Sequence, residues 1–402
     1  MIHGTQCDKL IFESQKGMEI MERTRWYKDK VFYQIWPRSF KDGNGDGMGD
    51  LLGVYEKLDY LKDLGIDGIW FSPIYPSPGA DCGYDIADYM DIAPEFGGME
   101  AFKKVLDGAH QRGMNVLMDL VVNHTSDEHE WFWKSRQRIE PYTDYYIWRP
   151  AREDGSLPNN WDSNFEGKAW NLLYIENHDH PRIISRYGSE KFWKESGKTL
   201  AVSYLFQQGT PFIYQGQEIG MLNWKPESIA AYRDVQSIYN YHHSNQKLSE
   251  DARLKKLWRS SRDSARTPVQ WDNSPNAGFT TGETTWMDVN PNYTWLNVSQ
   301  QETDPDSILN FCKKAIGLRK SLKSVRYGVY REHFPLSNTL YCYTRETKCE
   351  KLLVLCSFSG KQQNLRIPTG YDLSQGELIL TNYEDRLPKI LQPYECRVYR
   401  FK

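Results

Sequence analysis

The stretch VLMDLVVNH, residues 116–124, decides how this sequence is interpreted, because it is an apolar run that ends in polar side chains. Gly113 precedes it, and a short apolar run after such a breaker predicts a buried strand, here over residues 116–122. In parallel α/β sheets, ligands bind where the strands end. The terminal Asn123 and His124 could merely fix a loop. The similar tripeptide Asn177-His178-Asp179 after another apolar run favours a binding site instead.

The composition excludes several classes of protein. A chain of 402 residues can bury a large core and form more than one domain. Its net charge of −3 provides no basic field, so we expect no nucleic-acid partner. We also expect no membrane association, since no apolar run of about 18 residues predicts a membrane span. The 14 Trp and 26 Tyr residues suit ligands such as sugars, whose CH faces stack on rings, although rings also fill cores.

The cysteines and the N-terminus indicate where the protein works. The seven cysteines are odd in number and form no pair with metal-ligand spacing, which favours reduced thiols in a cytoplasmic protein. The N-terminus lacks the apolar segment of a secretory signal. Residues 1–24 are polar and without a pattern, and we predict that they form a disordered extension.

The segment DGNGDGMGD, residues 42–50, has the spacing of a calcium-binding loop. Its oxygen donors would be the side chains of Asp42, Asn44, Asp46 and Asp50 and the carbonyl of Met48. An EF-hand would carry a Glu at the twelfth position, which is Gly53 here, and would follow a helix rather than a strand. We therefore predict a single Ca²⁺ loop, because carboxylates this close repel one another without a cation. The alternative is a solvated acidic turn.

Apolar residues at helical spacing alternate with short apolar runs along the first half of the chain. Helical spacing over residues 51–64 and 99–109 separates the predicted strands 31–36, 68–72 and 116–122. Each helix is followed by glycine, which is typical of strand–helix–strand units in a parallel sheet. The later segments have the same character. They are the predicted strands 172–176 and 211–214 and the predicted helices 190–206, 224–260 and 307–323.

Two parts of the chain depart from this alternation. Residues 125–170 have no sustained period and predict a long excursion that shapes a binding mouth. From about residue 335 the apolar residues alternate, which predicts an antiparallel β-sandwich. We therefore divide the chain into a barrel-type domain, 25–124 and 171–330, an excursion, 125–170, and a C-terminal β domain, 331–402.

Seven segments together resemble the α-amylase superfamily, glycoside hydrolase family 13, and most of all its oligo-1,6-glucosidase and α-glucosidase branch. They are YQIWPRSF (33–40), the calcium loop (42–50), GYDI (83–86), DLVVNH (119–124), ENHD (176–179), QGQEIG (215–220) and ARTPVQW (265–271). The resemblance implies a (β/α)₈ barrel with an excursion after the third strand and a C-terminal β-sandwich. It also implies short α-glucosides of the isomaltose, maltose or sucrose type as substrates.

The resemblance assigns roles to individual residues. Asp85 and His124 match groups that hydrogen-bond the sugar, and Tyr84 is counted with them. His178 matches a further sugar-binding histidine, and Arg266 matches a residue near the leaving-group side. Asp179 matches the carboxylate that holds two sugar hydroxyls and stabilises the transition state. The calcium site implied by the resemblance is the same set of five residues, Asp42, Asn44, Asp46, Met48 and Asp50.

The chain departs from the family where the chemistry is most demanding. Retaining hydrolysis needs a nucleophile and an acid/base, two carboxyl groups about 5–5.5 Å apart. In the family both lie between the counterparts of Trp170 and Asn171, and the nucleophile lies in a Gly-Phe-Arg-x-Asp segment. This chain passes directly from one residue to the other and contains no such segment. Glu176 belongs to the seventh-strand motif, so we do not assign it as the acid.

The length of the barrel-type domain agrees with an internal deletion. Residues 31–245 without 125–170 amount to about 170 residues, whereas such barrels need about 200 at minimum. We therefore predict an incomplete barrel with about five of eight strands. Either it stays open and exposes its edges, or the third strand pairs directly with the seventh.

Three functions remain open from the sequence. The first is an α-glucosidase-type hydrolase that acts on short α-glucosides. The second is a catalytically inactive sugar-binding relative or a defective gene product, because both reacting carboxylates are missing. The third, a calcium-binding structural protein, is supported by the loop alone.

Overall fold

The computed structural model describes residues 26–146, 148, 171–243 and 248–402. The predicted extension over residues 1–24 and residues 149–170 of the predicted excursion lie outside this part of the chain. Within it, no helix combines the length and the apolar character that a membrane crossing requires.

A parallel sheet of five strands forms the centre of the first part of the fold. The strands are β1 (Phe32–Ile35), β2 (Gly68–Phe71), β3 (Asn115–Met118), β4 (Leu172–Leu173) and β5 (Thr210–Tyr214). Their order is β3-β2-β1-β5-β4, and every neighbouring pair is parallel. Within the described residues β3 and β4 do not pair with each other, so the sheet is open. The predicted five-stranded open arrangement is confirmed, and the direct pairing of the third and seventh strands is wrong.

Two predicted strands are shorter than the sequence suggested. We predicted a strand over 116–122, but β3 ends at Met118, and Leu120 and Val122 are 70% and 76% exposed. The predicted strand 172–176 contracts to the two residues of β4. An apolar run stays in a sheet only where a neighbouring strand satisfies its backbone groups, and these segments have a described neighbour on one side only.

The helices follow the predicted spacing with two corrections. The predicted continuous helix 51–64 is divided at Lys57 into α1 (Leu51–Glu56) and α2 (Leu58–Leu64). Asp50 caps the first by accepting a hydrogen bond from Gly53 N, and Gly65 ends the second with φ of 93°. The next two helices are α3 (Gly98–Gln111) and α4 (Glu130–Arg136).

The remaining helices cover the second half of the chain. They are α5 (Ile183–Tyr187), α6 (Trp193–Leu205), α7 (Val235–His243), α8 (Glu250–Ser260), α9 (Asp263–Arg266), α10 (Val298–Thr303), α11 (Ile308–Ser321) and α12 (Lys323–Tyr327). The prediction of helix throughout 224–260 is therefore wrong. Residues 224–228 lie outside helices, and a 3₁₀ turn, Ile229–Ala231, precedes α7.

An antiparallel sheet follows the last helix. It contains β6 (Val329–His333), β7 (Leu340–Glu346), β8 (Lys351–Ser357), β10 (Glu377–Thr381) and β12 (Cys396–Phe401), in the order β10-β12-β8-β7-β6. The short strands β9 (Gln363–Asn364) and β11 (Ile390–Leu391) pair separately. The first strand begins at Val329, slightly before the predicted start of the C-terminal domain.

Helix α6 joins the two sheets into one core. Every residue from Ser196 to Leu205 is buried, so the helix has no solvent-facing side over this length. Leu200 and Val202 belong to the same hydrophobic cluster as Ile213 of the parallel sheet and Val354 of the antiparallel sheet. The Tyr343 hydroxyl also donates to the Val202 carbonyl at 3.3 Å.

Candidate substrate-binding site

A cavity of about 210 Å³ lies at the carboxyl ends of the parallel strands. Trp36 follows β1, and Tyr84 lies in the loop after β2. His178 and Asp179 lie in the loop after β4, and α9 contributes Arg266. Side chains distant in the sequence meet here because parallel strands present their carboxyl ends at one edge of the sheet.

The Asp179 carboxylate is held from three sides and remains open to the cavity. One oxygen, Oδ1, lies 3.2 Å from Arg262 Nη1 and 3.2 Å from Arg266 Nη2. The other oxygen, Oδ2, lies 3.3 Å from His178 Nε2. The side chain is nevertheless 45% exposed. Two guanidinium groups therefore fix the orientation of the carboxylate while part of its surface can receive a ligand.

His178 is stacked between two aromatic rings. Its ring centroid lies 4.7 Å from that of Trp36 and 5.5 Å from that of Tyr84. Burial lowers the pKa of His178 to about 4, although Asp179 opposes this shift. Above that pH the ring is neutral. Gln34 Nε2 lies 3.1 Å from Nδ1, and an amide nitrogen donates, so the ring hydrogen lies on Nε2 and points at Asp179.

The buried Asp234 carboxylate contacts both arginines. Arg262 donates to Asp234 Oδ1 from Nη2 at 2.7 Å and from Nε at 3.1 Å, and Arg266 Nη1 lies 3.9 Å away. Burial raises the pKa of Asp234, but Arg262, Ser237 and Arg266 outweigh it and the net shift is downward. Asp234 therefore stays charged and holds both guanidinium groups towards Asp179.

Arg182 connects the segments that carry these groups. It is fully buried, and Nη1 donates to Glu176 Oε1 at 2.6 Å and to the Gln215 carbonyl at 2.7 Å. Its Nε donates to the Ser264 carbonyl at 3.1 Å. The loop after β4, the end of β5 and the helix that carries Arg266 are thereby held together. Glu176 is used in this buried pair, which agrees with leaving it unassigned as an acid.

Two of the sequence-predicted residues lie outside this cavity. The Asp85 carboxylate accepts hydrogen bonds from Ser77 Oγ at 2.8 Å and from the amides of Ala80 and Asp81 at 2.8 and 3.0 Å, so it faces its own loop. Burial raises the pKa of Asp85, but these donors outweigh it and the net shift is downward. The structure therefore brings together Tyr84, His178, Asp179 and Arg266, without Asp85.

His124 lines a second cavity of about 640 Å³, together with Leu120, Val122, Trp131 and Tyr145. Its Nε2 lies 3.2 Å from the Tyr84 carbonyl. Tyr84, which lines the smaller cavity, therefore contacts a residue of the larger one. Its hydroxyl also lies 3.3 Å from Asp119 Oδ2. Burial raises the pKa of Asp119 although this hydroxyl opposes the shift.

Sequence reasoning missed four residues of the site: Trp36, Arg182, Asp234 and Arg262. Most of their contacts join residues that are far apart in the sequence. Arg262 and Asp179 are separated by 83 positions, and Trp36 and His178 by 142. A weak signal existed for Arg182, which closely follows the ENHD segment, and none for Asp234.

The loop over residues 42–50 is a compact turn with oxygen donors. Asn44 N lies 3.0 Å from Asp42 Oδ1 and 3.1 Å from Asp50 Oδ2, so the two carboxylates converge on one amide. Burial raises the pKa of Asp42, but hydrogen-bond donors outweigh burial and the net shift is downward. Burial also raises the pKa of Asp50, where the charge of Asp42 adds to the effect and the net shift is upward. Oxygen donors of this kind are the ligand type that Ca²⁺ prefers. Within the described residues no group of three or more His, Cys, Asp or Glu side chains is arranged for a metal.

Known proteins match most of this chain. The family described as "Alpha amylase, catalytic domain" matches residues 34–172 and 169–328. The oligo-1,6-glucosidase of Parageobacillus thermoglucosidasius is 34% identical over 563 residues, covering 95% of this chain and 100% of the relative.

Solved structures give the same result. The trehalose-6-phosphate hydrolase of Bacillus licheniformis superimposes with a TM-score of 0.87 at 30% identity, covering 94% of this chain and 100% of that one. A MutB mutant in complex with the substrate sucrose superimposes with a TM-score of 0.83 at 28% identity, covering 94% of this chain and 99% of that one.

Proposed function

Because this chain belongs to the alpha-amylase family, we propose that its smaller cavity binds one sugar unit of a short α-glucoside without hydrolysing it at a rate typical of a glycosidase. The isomaltose, maltose and sucrose types are the candidate ligands. The observation that carries the proposal is the half-exposed Asp179 carboxylate, fixed by two arginines beside the stacked rings of Trp36, His178 and Tyr84.

The cavity has the chemistry of a sugar site. Sugar hydroxyls both donate and accept, and Asp179 offers a fixed acceptor while Arg262 and Arg266 offer donors. The partly exposed ring of Tyr84 supplies an apolar wall on which a CH face can pack. A cavity of about 210 Å³ leaves room for one small ring.

Within the described residues, the other carboxylates that line the cavity are poorly suited to act as nucleophile and proton donor. Besides Asp179 it is lined by Asp81 and Asp234. Asp234 is buried and committed to Arg262, and Asp81 is exposed at the rim. Retaining hydrolysis needs a nucleophile and a separate proton donor about 5–5.5 Å from each other.

The alignment with the P. thermoglucosidasius enzyme supports a missing segment. It spans 563 residues, whereas 95% of the 402 residues of this chain is about 382, so about 181 aligned positions have no residue of this chain. The two stretches matched by the family meet at residues 169–172. That is where the resemblance implies the nucleophile and the acid/base.

Two measurements test the proposal together. Calorimetry with isomaltose, maltose and sucrose should show saturable binding, and a chromogenic α-glucoside should release no product. Asp179→Asn should weaken binding by roughly 10- to 100-fold, because a hydrogen bond to a charged group is worth about 1.5–3 kcal/mol. Asp81→Asn, at the exposed rim, should change it little.

The outcomes separate the candidate functions. If the protein releases product and Asp179→Asn abolishes this release, the protein is a working α-glucosidase and the proposed loss of turnover is refuted. Absence of saturable binding by all three sugars would refute the sugar site.

We propose Ca²⁺ as a structural ion in the 42–50 loop, held by the side chains of Asp42, Asn44, Asp46 and Asp50 and the carbonyl of Met48. Bound Ca²⁺ would neutralise the converging carboxylates. Added Ca²⁺ should raise the thermal midpoint of chelator-treated protein, and Asp46→Ala should remove this increase. An unchanged midpoint over millimolar Ca²⁺ would contradict the proposal.

The cytoplasmic location stays a prediction. It depends on the cysteine pattern, and cell fractionation with an antibody against the chain would test it. The absence of a nucleic-acid partner likewise stays a prediction from the net charge.

A further inference from the structure

We propose that the open gap between β3 and β4 binds a separate polypeptide of parallel strand–helix units, which closes the barrel and adds side chains to the site. The binding part of this inference stands independently of sugar recognition. The catalytic part rests on the proposed function. It assumes that the partner supplies the nucleophile and the acid/base, the two carboxyl groups that would act beside Asp179.

The two edges of the parallel sheet have unused hydrogen-bonding capacity. β3 pairs with β2 on one side and β4 pairs with β5 on one side. Neither pairs on its other side within the described residues. An edge strand presents a row of amide and carbonyl groups that can pair with another chain.

Apolar side chains accompany both edges. Leu120 and Val122, after β3, are 70% and 76% exposed, and Leu172 and Tyr174, at β4, are 63% and 54% exposed. In β5, which has a strand on each side, every residue is buried. Apolar side chains at both edges are therefore uncovered, as they are at an interaction site.

The larger cavity extends this surface. About 640 Å³ in volume, it is lined by Leu120 and Val122 together with the rings of Tyr89, Trp131 and Tyr145. Trp131 and Tyr145 are 41% and 52% exposed, and their ring centroids lie 5.5 Å apart. A partner strand paired with β3 would therefore lie close to exposed aromatic side chains, which are common anchors of interfaces.

The size of the gap favours a separate polypeptide over a second copy. Three further strands bring the sheet to the eight of a closed barrel, and three strand–helix units need about 30 residues each. The roughly 181 aligned positions without a residue of this chain are sufficient for them. Two copies joined edge to edge would give ten strands and would depend on the two-residue strand β4.

The direction of the partner follows from the sheet. All described pairs of this sheet are parallel, so strand–helix units that continue the same pattern run parallel and end at the same edge as β3 and β4. Their carboxyl-end residues would then face the cavity that holds Asp179. In a retaining glycosidase that edge carries the two reacting carboxylates.

Co-expression tests the inference with the full chain. The probe is the segment of the P. thermoglucosidasius oligo-1,6-glucosidase that aligns between Trp170 and Asn171, carrying an affinity tag. We expect a one-to-one complex by light scattering and a higher thermal midpoint than for the chain alone. The double variant Leu120→Lys/Leu172→Lys should lower recovery of the complex by about tenfold or more, since charges would be desolvated at both edges.

A matched control distinguishes the edge from general surface charge. Leu336→Lys changes a 95% exposed leucine in the C-terminal part and should leave recovery unchanged. Absence of the complex, a complex insensitive to the edge variant, or a homodimer of the chain in place of the complex would overturn the proposal. A complex that forms but releases no product from a chromogenic α-glucoside would overturn its catalytic part. Sugar binding by the chain alone, measured separately, decides the proposed function.

Discussion

The centre and the margins of the parallel sheet have similar sequences but different surroundings. β1 and β5 are buried over their whole length, and the rings of Phe32 and Phe212 stack with centroids 5.1 Å apart. The runs that contain β3 and β4 are equally apolar, yet Leu120 and Leu172 are mostly exposed. The difference shows that an apolar run becomes a buried strand only when a neighbour covers it on each side.

The same contrast divides the site. Trp36 after β1, His178 after β4 and Arg266 in α9 converge on one cavity. His124, which follows β3 at the other edge of the sheet, lies in a different cavity. The ordered network of charges therefore lies after β1 and β4, and the exposed rings lie after β3.

The largest expected effect concerns the buried pair at the ordered side. Arg182→Met leaves Glu176 buried without its partner and should lower the free energy of unfolding by about 3–5 kcal/mol. Arg112→Met, which breaks an exposed pair with Asp59, should leave it nearly unchanged. Chemical denaturation of both variants measures the difference. Equal losses would show that burial of the Arg182–Glu176 pair does not set the cost of breaking it.

Truncation of apolar side chains should show the contrast directly. Ile213→Ala in β5 removes a side chain that is 2% exposed and should cost about 2–5 kcal/mol of unfolding free energy. Leu120→Ala removes one that is 70% exposed and should change it by less than about 0.5 kcal/mol. Denaturant midpoints compare them. A large loss for Leu120→Ala would indicate that this side is covered in solution.

The smallest effect is a pH dependence from His178. Its pKa of about 4 in the folded protein is below the ordinary 6.5, so the unfolded chain takes up the proton first as the pH falls. Stability should therefore decrease between pH 6.5 and 4, by at most about 3 kcal/mol from this residue, and then level off. His178→Gln should flatten the profile over this range. Identical profiles for both proteins would contradict the shift.

The sequence predicted the five strands of the parallel sheet, and the structure places four of the predicted site residues around one cavity. Strand positions follow from local apolar runs, and the ENHD segment placed His178 and Asp179 at a strand end. The division of the first helix at Lys57 and the early end of β3 depend on packing. The pairing of Asp234 with Arg262, 28 residues apart, has no periodic signature.

Helix α6 has a consequence for how the protein unfolds. The helix is buried on all sides between the two sheets from Ser196 to Leu205. Removing the antiparallel sheet would therefore expose apolar side chains such as Val202 to water. The two halves should consequently melt in a single cooperative step. A gene fragment that stops before Val329 should yield aggregates rather than a smaller folded protein.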